Sequence, residues 1–190
     1  MKKEDNVLES KAPMMILLIA VTTALVSCDA VQDLADLLPP PQSARAHAVI
    51  GSTSGSEVTG TAVFVQTGDT ITLTVEIQNA EPGLHGVHIH EFGDCSAPDG
   101  TSAGGHWNPT NSAHGKWGEG EFHLGDIGNI MVGDDGTGTI ELTTDLWELG
   151  TGSIRDVVGK GIIVHAGADD FTSQPSGAAG ARIGCGAIVE

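Results

Sequence analysis

The chain has 190 residues, and its 8 Lys and Arg against 25 Asp and Glu leave a formal net charge of −17. That balance excludes nucleic acid as a partner, because a phosphate backbone is bound by clustered Lys and Arg. Glycine is abundant at 27 residues, tyrosine is absent and charged residues make up only 17%; short apolar runs between glycine-rich turns point to an all-β protein.

In chain order, the first feature is the apolar run Met14–Val26, M-M-I-L-L-I-A-V-T-T-A-L-V. It falls short of the roughly 20 residues that a membrane-spanning helix needs and fits the core of an export signal. It ends in Leu25-Val26-Ser27-Cys28, which resembles a bacterial lipobox. The resemblance implies a lipoprotein signal peptide over 1–27, cleavage before Cys28 and acylation of that residue. An ordinary secretory signal cut nearby is the other reading; both export the chain. Pro39, Pro40 and Pro41 stop any helix, so 28–45 is expected to be a lipidated cysteine and flexible tether. The anchor would hold the protein to a membrane on its periplasmic side. With Cys28 acylated, Cys95 and Cys185 remain as an even pair that an oxidising compartment is expected to bridge. Their loop of about 90 residues would contribute roughly 4–5 kcal/mol through chain entropy. Two buried free thiols are the alternative.

The folded domain is expected over 46–190, a length that buries roughly two-thirds of its unfolded surface around one core. Alternating or apolar runs predict strands at His47–Ile50, Val58–Gln66, Thr70–Gln78, His85–His90, Gly138–Leu142, Gly161–His165 and Gly184–Val189. Thr67-Gly68-Asp69 and Asp134-Asp135-Gly136 read as tight turns. No segment has a convincing helical period. Short strands at this spacing suggest a sandwich or flattened barrel. Two segments, Glu91–Asp126 and Ala166–Ala181, are long and poor in strand signal, which in a compact domain marks functional loops.

Seven side chains of metal-ligand type fall in this domain: His88, His90, His106, His114, His123, Asp126 and His165. His88 and His90, two apart in a strand, share a face, although His-x-His alone is weak. His165 ends an apolar run, where a lone histidine is commonly a core residue. The loop histidines change that balance: His106 sits among glycines in Gly104-Gly105-His106-Trp107, His114 and His123 follow, and Asp126 comes three residues later. Imidazole suits copper and zinc, and an added carboxylate still suits zinc. Six histidines and one aspartate are one ligand short of two four-coordinate sites, and one histidine bridging through both ring nitrogens closes the gap.

The segments H-G-V-H-I-H-E-F-G-D, S-A-G-G-H-W-N-P, F-H-L-G-D-I-G-N, V-H-A-G-A-D-D and G-A-R-I-G-C-G together resemble copper,zinc superoxide dismutase across essentially all of Ala46–Glu190. The resemblance implies a Greek-key, immunoglobulin-like β-sandwich or flattened barrel with two long functional loops. It implies one copper and one zinc per subunit, superoxide as substrate, and dioxygen and hydrogen peroxide as products. By match of position, His88, His90, His106 and His165 would ligate copper, and His106, His114, His123 and Asp126 zinc. His106 would bridge the metals, release copper on its reduction and then deliver a proton. Asp169 would link His88 to His114, His85 would stand behind the copper site, Cys95 and Cys185 would form the intrasubunit disulfide, and Arg182 would hold the anion. Lys116 is a candidate for steering, or else a solvated charge. The stretch between Asp170 and Arg182 is short and lacks charged side chains, as in the bacterial branch, which leaves both monomer and homodimer open. A non-catalytic copper/zinc-binding module on the same sandwich is the competing reading; the complete ligand set and Arg182 weigh against it.

Overall fold

Alternation builds the first sheet. Ala46, Ala48 and Ile50 turn inward from β1 (Arg45–Ser52), Ala62 and Phe64 from β2 (Thr59–Thr67), and Ile71, Leu73, Val75 and Ile77 from β3 (Thr70–Gln78), while their neighbours face outward. The computed structural model describes residues 44–190; the expected signal peptide, Cys28 and most of the tether lie outside the described residues. β4 (Gly83–His90), β5 (Asp126–Val132), β6 (Gly138–Thr144), β7 (Gly161–His165) and β8 (Arg182–Ala187) complete the set. Among the described residues the helical content is one 3₁₀ turn, Thr101–Ala103.

The strands close in the order β1-β2-β3-β6-β5-β4-β7-β8, every neighbouring pair antiparallel. The step from β3 across to β4, with β6 and β5 between them, is the Greek-key crossing. Closure is uneven. β5 meets β6 only at Val132–Gly138, and β1 meets β8 only at Gly51–Cys185 and Ser52–Gly184. Two well-paired sheets, β1-β2-β3-β6 and β5-β4-β7-β8, are therefore joined by thin seams, so the flattened barrel and the sandwich describe one object.

Both expected turns are present: Thr67 pairs with Thr70 around Gly68-Asp69, with Gly68 at φ 60°, and Gly136 takes φ 75° before β6. One strand escaped the sequence reading. β5 runs through Asp-Ile-Gly-Asn-Ile-Met-Val and is buried at most positions. β1 is longer than expected at both ends, and β8 begins two residues earlier and ends two earlier than expected, at Arg182 and Ala187.

The core runs through Phe64, Leu73, Val75, Ile130, Ile162 and Val164, all essentially inaccessible; each such side chain contributes about 1.5–3 kcal/mol by leaving water. At one end, the Trp147 ring lies 5.9 Å from Phe64 and 5.3 Å from Trp117, and its Nε1 donates to the Leu124 carbonyl at 2.9 Å. Trp117 and Leu124 belong to the long segment after β4, so this aromatic contact ties that segment to the barrel.

Candidate metal centre

Val87 and Ile89 of β4 point into the core, so His88 and His90 point the other way. They would be solvent-exposed if the two long segments did not cover them; instead they are buried. His165, at the end of β7, pairs in register with Arg182 at the start of β8, just past a shift in the ladder at Val164/His165. The covering segment is stitched to β4 by backbone bonds: Trp107 N–H donates to Ile89 O, Ile89 N–H to Gly125 O, and Glu91 N–H to Gly105 O. Gly125 lies so close to the Ile89 carbonyl that a Cβ there would strike it, which is why glycine stands at this crossing. The stitching delivers His106, with His114, His123 and Asp126 beside it.

The seven side chains form two groups that share one member. Ligand-type atoms of His88, His90, His106 and His165 lie within 4.8 Å of one another, as do those of His106, His114, His123 and Asp126. Asp126 Oδ1 stands 2.8, 3.0 and 3.2 Å from Nδ1 of His106, His114 and His123. A tetrahedral zinc with bonds near 2.0–2.1 Å has ligand–ligand edges of about 3.3 Å, close to that spacing. The second Asp126 oxygen accepts from the Gly115 and His123 N–H groups at 3.1 and 2.8 Å, which leaves Oδ1 aimed at the rings.

The profile of the family described as Copper/zinc superoxide dismutase (SODC) matches residues 58–188. The chain belongs to this family. An extracellular superoxide dismutase (Cu-Zn) from Brugia pahangi is 38% identical over 159 residues, covering 78% of this chain and 77% of the relative. A crystal structure of a double mutant of a SOD-like protein from Bacillus subtilis superposes with a TM-score of 0.68 at 35% identity, over 76% of this chain and 97% of that one. Copper and zinc are the cofactors of the superoxide dismutase family, and the two clusters fit them.

The fit is chemical as well as geometric. Buried ring nitrogens without a hydrogen bond are found at His88 Nδ1, His90 Nε2, His106 Nε2, His114 Nδ1, His123 Nδ1 and His165 Nε2. The opposite nitrogen of four of these rings is a donor: His88 and His114 Nε2–H to the two Asp169 oxygens at 2.8 and 2.9 Å, His90 Nδ1–H to Gly104 O at 3.0 Å, and His165 Nδ1–H to Gly180 O at 3.1 Å. A neutral imidazole has one N–H, so each of these rings presents a lone pair to the cluster. Buried lone pairs without partners are costly; a cation satisfies them.

Burial keeps His90, His106 and His165 neutral. Burial, reinforced by the neighbouring His106, lowers His90 to about 2; burial and His88 lower His165 to about 3; burial lowers His106 to about 4 against the hydrogen bond to Asp126. Burial would raise Asp126, but hydrogen bonds from His106 and His123 hold it well below the usual carboxylate range. Metal ligands must be deprotonated, and these groups are.

Arg182 lines a cleft together with His90, His106, His165 and Asn108. Its guanidinium donates to the carbonyls of Gly100 and Gly104, both at 2.6 Å. Those carbonyls are held in turn by the Cys95–Cys185 disulfide, which pins the segment to β8 with a Cα–Cα distance of 5.8 Å. His85 is buried behind His165, its ring nitrogens 2.8 Å from the carbonyls of His165 and Glu81. Lys116 is not among the residues lining the cleft: its ammonium lies 2.6 Å from Glu119 on the exposed surface.

Two contributors went unnoticed in the sequence, Asn129 and Gln174, whose side chains bind backbone groups next to the clusters. Gly177 is a third. It takes φ 66°, and a Cβ there would collide with the Asp169 carboxylate and the His114 ring.

Proposed function

We propose that this chain disproportionates superoxide to dioxygen and hydrogen peroxide, with His88, His90, His106 and His165 holding copper and His106, His114, His123 and Asp126 holding zinc. The observation that supports this reading is that one ring, His106, belongs to both clusters, with Nδ1 2.8 Å from Asp126 and a buried Nε2 that has no hydrogen bond. Copper, when bound, supplies one-electron chemistry that zinc lacks: two superoxide anions and two protons leave as one dioxygen and one hydrogen peroxide, one anion losing the electron the other gains.

The chain's own residues bind, orient and move protons. Arg182 holds the anion in the cleft; with two of its donors fixed on Gly100 and Gly104, the guanidinium is preorganised and costs little to align. His106 lines the cleft, and its Nε2 is the atom proposed to hold a proton and pass it to the departing peroxide. Asp169 accepts from His88 and His114 together, which fixes both tautomers and ring planes.

The reaction is proposed to run outside the cytoplasm. The Cys95–Cys185 disulfide belongs to an oxidising compartment, and the Brugia pahangi relative is named extracellular. Acylation of Cys28 and attachment to the periplasmic side of a membrane complete this proposal, and the mass of the mature N-terminus tests that part.

Arg182→Ala in protein carrying both metals tests the catalytic reading. Superoxide disproportionation is expected to fall by about 10²-fold, as for loss of a preorganised donor, with copper and zinc content unchanged. Undiminished turnover would remove Arg182 from the mechanism. Tight binding of both metals by the unaltered chain without turnover would leave a metal-binding module instead.

A further inference from the structure

His114 and Asp169 share an unusual backbone situation. Neither lies in a strand, and among the described residues neither backbone N–H nor C=O of either one bonds to another backbone group. Both residues are buried, so those four polar groups need partners. Two carboxamides supply all four. Gln174 Nε2 donates to the His114 carbonyl and Gln174 Oε1 accepts from the His114 N–H, both at 2.9 Å. Asn129 Nδ2 donates to the Asp169 carbonyl at 2.9 Å and Asn129 Oδ1 accepts from the Asp169 N–H at 2.7 Å. Each side chain stands in for a stretch of sheet ladder, across 60 and 40 residues of sequence respectively.

The two clamped residues serve different clusters. His114 belongs to the zinc group alone. Asp169 accepts from His88 of the copper group and from His114 of the zinc group. We propose that Gln174 is a positioning residue for zinc alone, setting the His114 ring by clamping its backbone, and that Asn129 is the corresponding positioning residue for both metals, acting through Asp169. The proposal rests on the ligand assignment given above. Its physical basis is that a ring hinged on its Cα and hydrogen-bonded to Asp169 is aimed no better than its backbone is held. Gln174 comes from the segment after β7 and His114 from the segment after β4, so this clamp also joins the two long segments into one unit over the zinc group.

The test uses the full chain loaded with copper and zinc, then challenged with EDTA while both metals are followed by elemental analysis. Gln174→Met keeps the length of the side chain and removes both hydrogen bonds. It is expected to speed zinc loss roughly 10–100-fold, the usual effect of removing an outer partner of a ligand, with copper loss changed by less than about twofold. Asn129→Ala is expected to speed the loss of both. Equal acceleration of both metals in Gln174→Met, or no acceleration of zinc, would overturn the proposal. If Gln174→Met does not fold, Gln174→Glu takes its place. It keeps an acceptor for the His114 N–H, so a smaller effect with the same bias toward zinc supports the clamp and an unbiased effect refutes it. A separate control guards the underlying assignment: if His114→Ala leaves zinc uptake intact, the ligand set is wrong and the proposal falls with it, whatever Gln174 does.

Discussion

The two halves of the constellation are built by different means. His88, His90 and His165 stand on β4 and β7, strands paired on both sides within the barrel. His106, His114 and His123 stand on a segment whose regular structure amounts to one 3₁₀ turn. The first half inherits its geometry from ladder hydrogen bonds and a core that packs without any metal. The second is held by long-range devices: the disulfide, the stitches from Trp107 and Gly125 to Ile89, the Asp169 link and the Gln174 clamp. On the proposed ligand assignment, the strand-borne half is expected to stand ready without metal and the loop-borne half to be ordered by its ion.

Stripping both metals tests that contrast most severely. Amide exchange in β4 and β7 should stay slow, because those strands open only with the whole barrel. Amides of Asn111–Phe122 and Ala166–Ala181 should exchange at least about 10²-fold faster than in the loaded protein, since those stretches have few buried apolar residues. Equal acceleration in the strands and the loops would erase the distinction.

The same contrast explains what could be read from the sequence. Strands announce themselves by alternation, so β1, β2 and β3 were visible, as were the His-x-His of β4 and the apolar run ending at His165. β5 was not, because Gly128 and Asn129 interrupt its apolar residues and Gly125 stands just before it, and each has a reason that exists only in three dimensions. Gly125 passes against the Ile89 carbonyl, Gly128 takes φ 120°, and Asn129 spends its side chain on the Asp169 backbone. The candidate ligands were legible as a set because their residue types are rare and their motifs distinctive. Gln174 was not, because an amide that replaces a ladder bond carries no spacing signal and its partner lies 60 residues away.

Acid should attack the copper-side rings, two of them on strands and one, His106, on the loop. Burial in the metal-free fold lowers His90, His106 and His165 to about 2, 4 and 3, from an ordinary value of 6.5. Between those limits the unfolded chain binds more protons than the folded one, so stability falls as pH drops below 6.5 and is fully present above it. One such ring alone contributes up to about 1.4 kcal/mol per pH unit in that window. Thermal unfolding of the metal-free protein should therefore shift down by several degrees from pH 7 to pH 5, with His90→Leu flattening the slope. A midpoint independent of pH across this interval would show that the strand-borne rings are not buried as neutral groups.

The smallest expected effect concerns the cleft where the halves meet, and its sign is informative. The residues from Ala46 onward carry four basic side chains against 19 acidic ones, a net charge of −15. The fixed charges lining the cleft are Arg182 and Glu91. Bound ions and Arg182 act on an incoming anion over a few ångströms, whereas the net charge acts beyond that, as far as the Debye length permits. That length shrinks from about 30 Å at 0.01 M salt to about 8 Å at 0.15 M. Added salt thus removes repulsion before it removes attraction, and kcat/KM for superoxide should rise, by less than about threefold, over this range. A channel steered by peripheral lysines would show the reverse, because screening would weaken its pull. Lys116→Ala decides between the two: with its ammonium already matched by Glu119, the substitution should leave the salt dependence unchanged, and a rate that falls with salt in the unaltered chain but not in the variant would restore Lys116 as a steering charge.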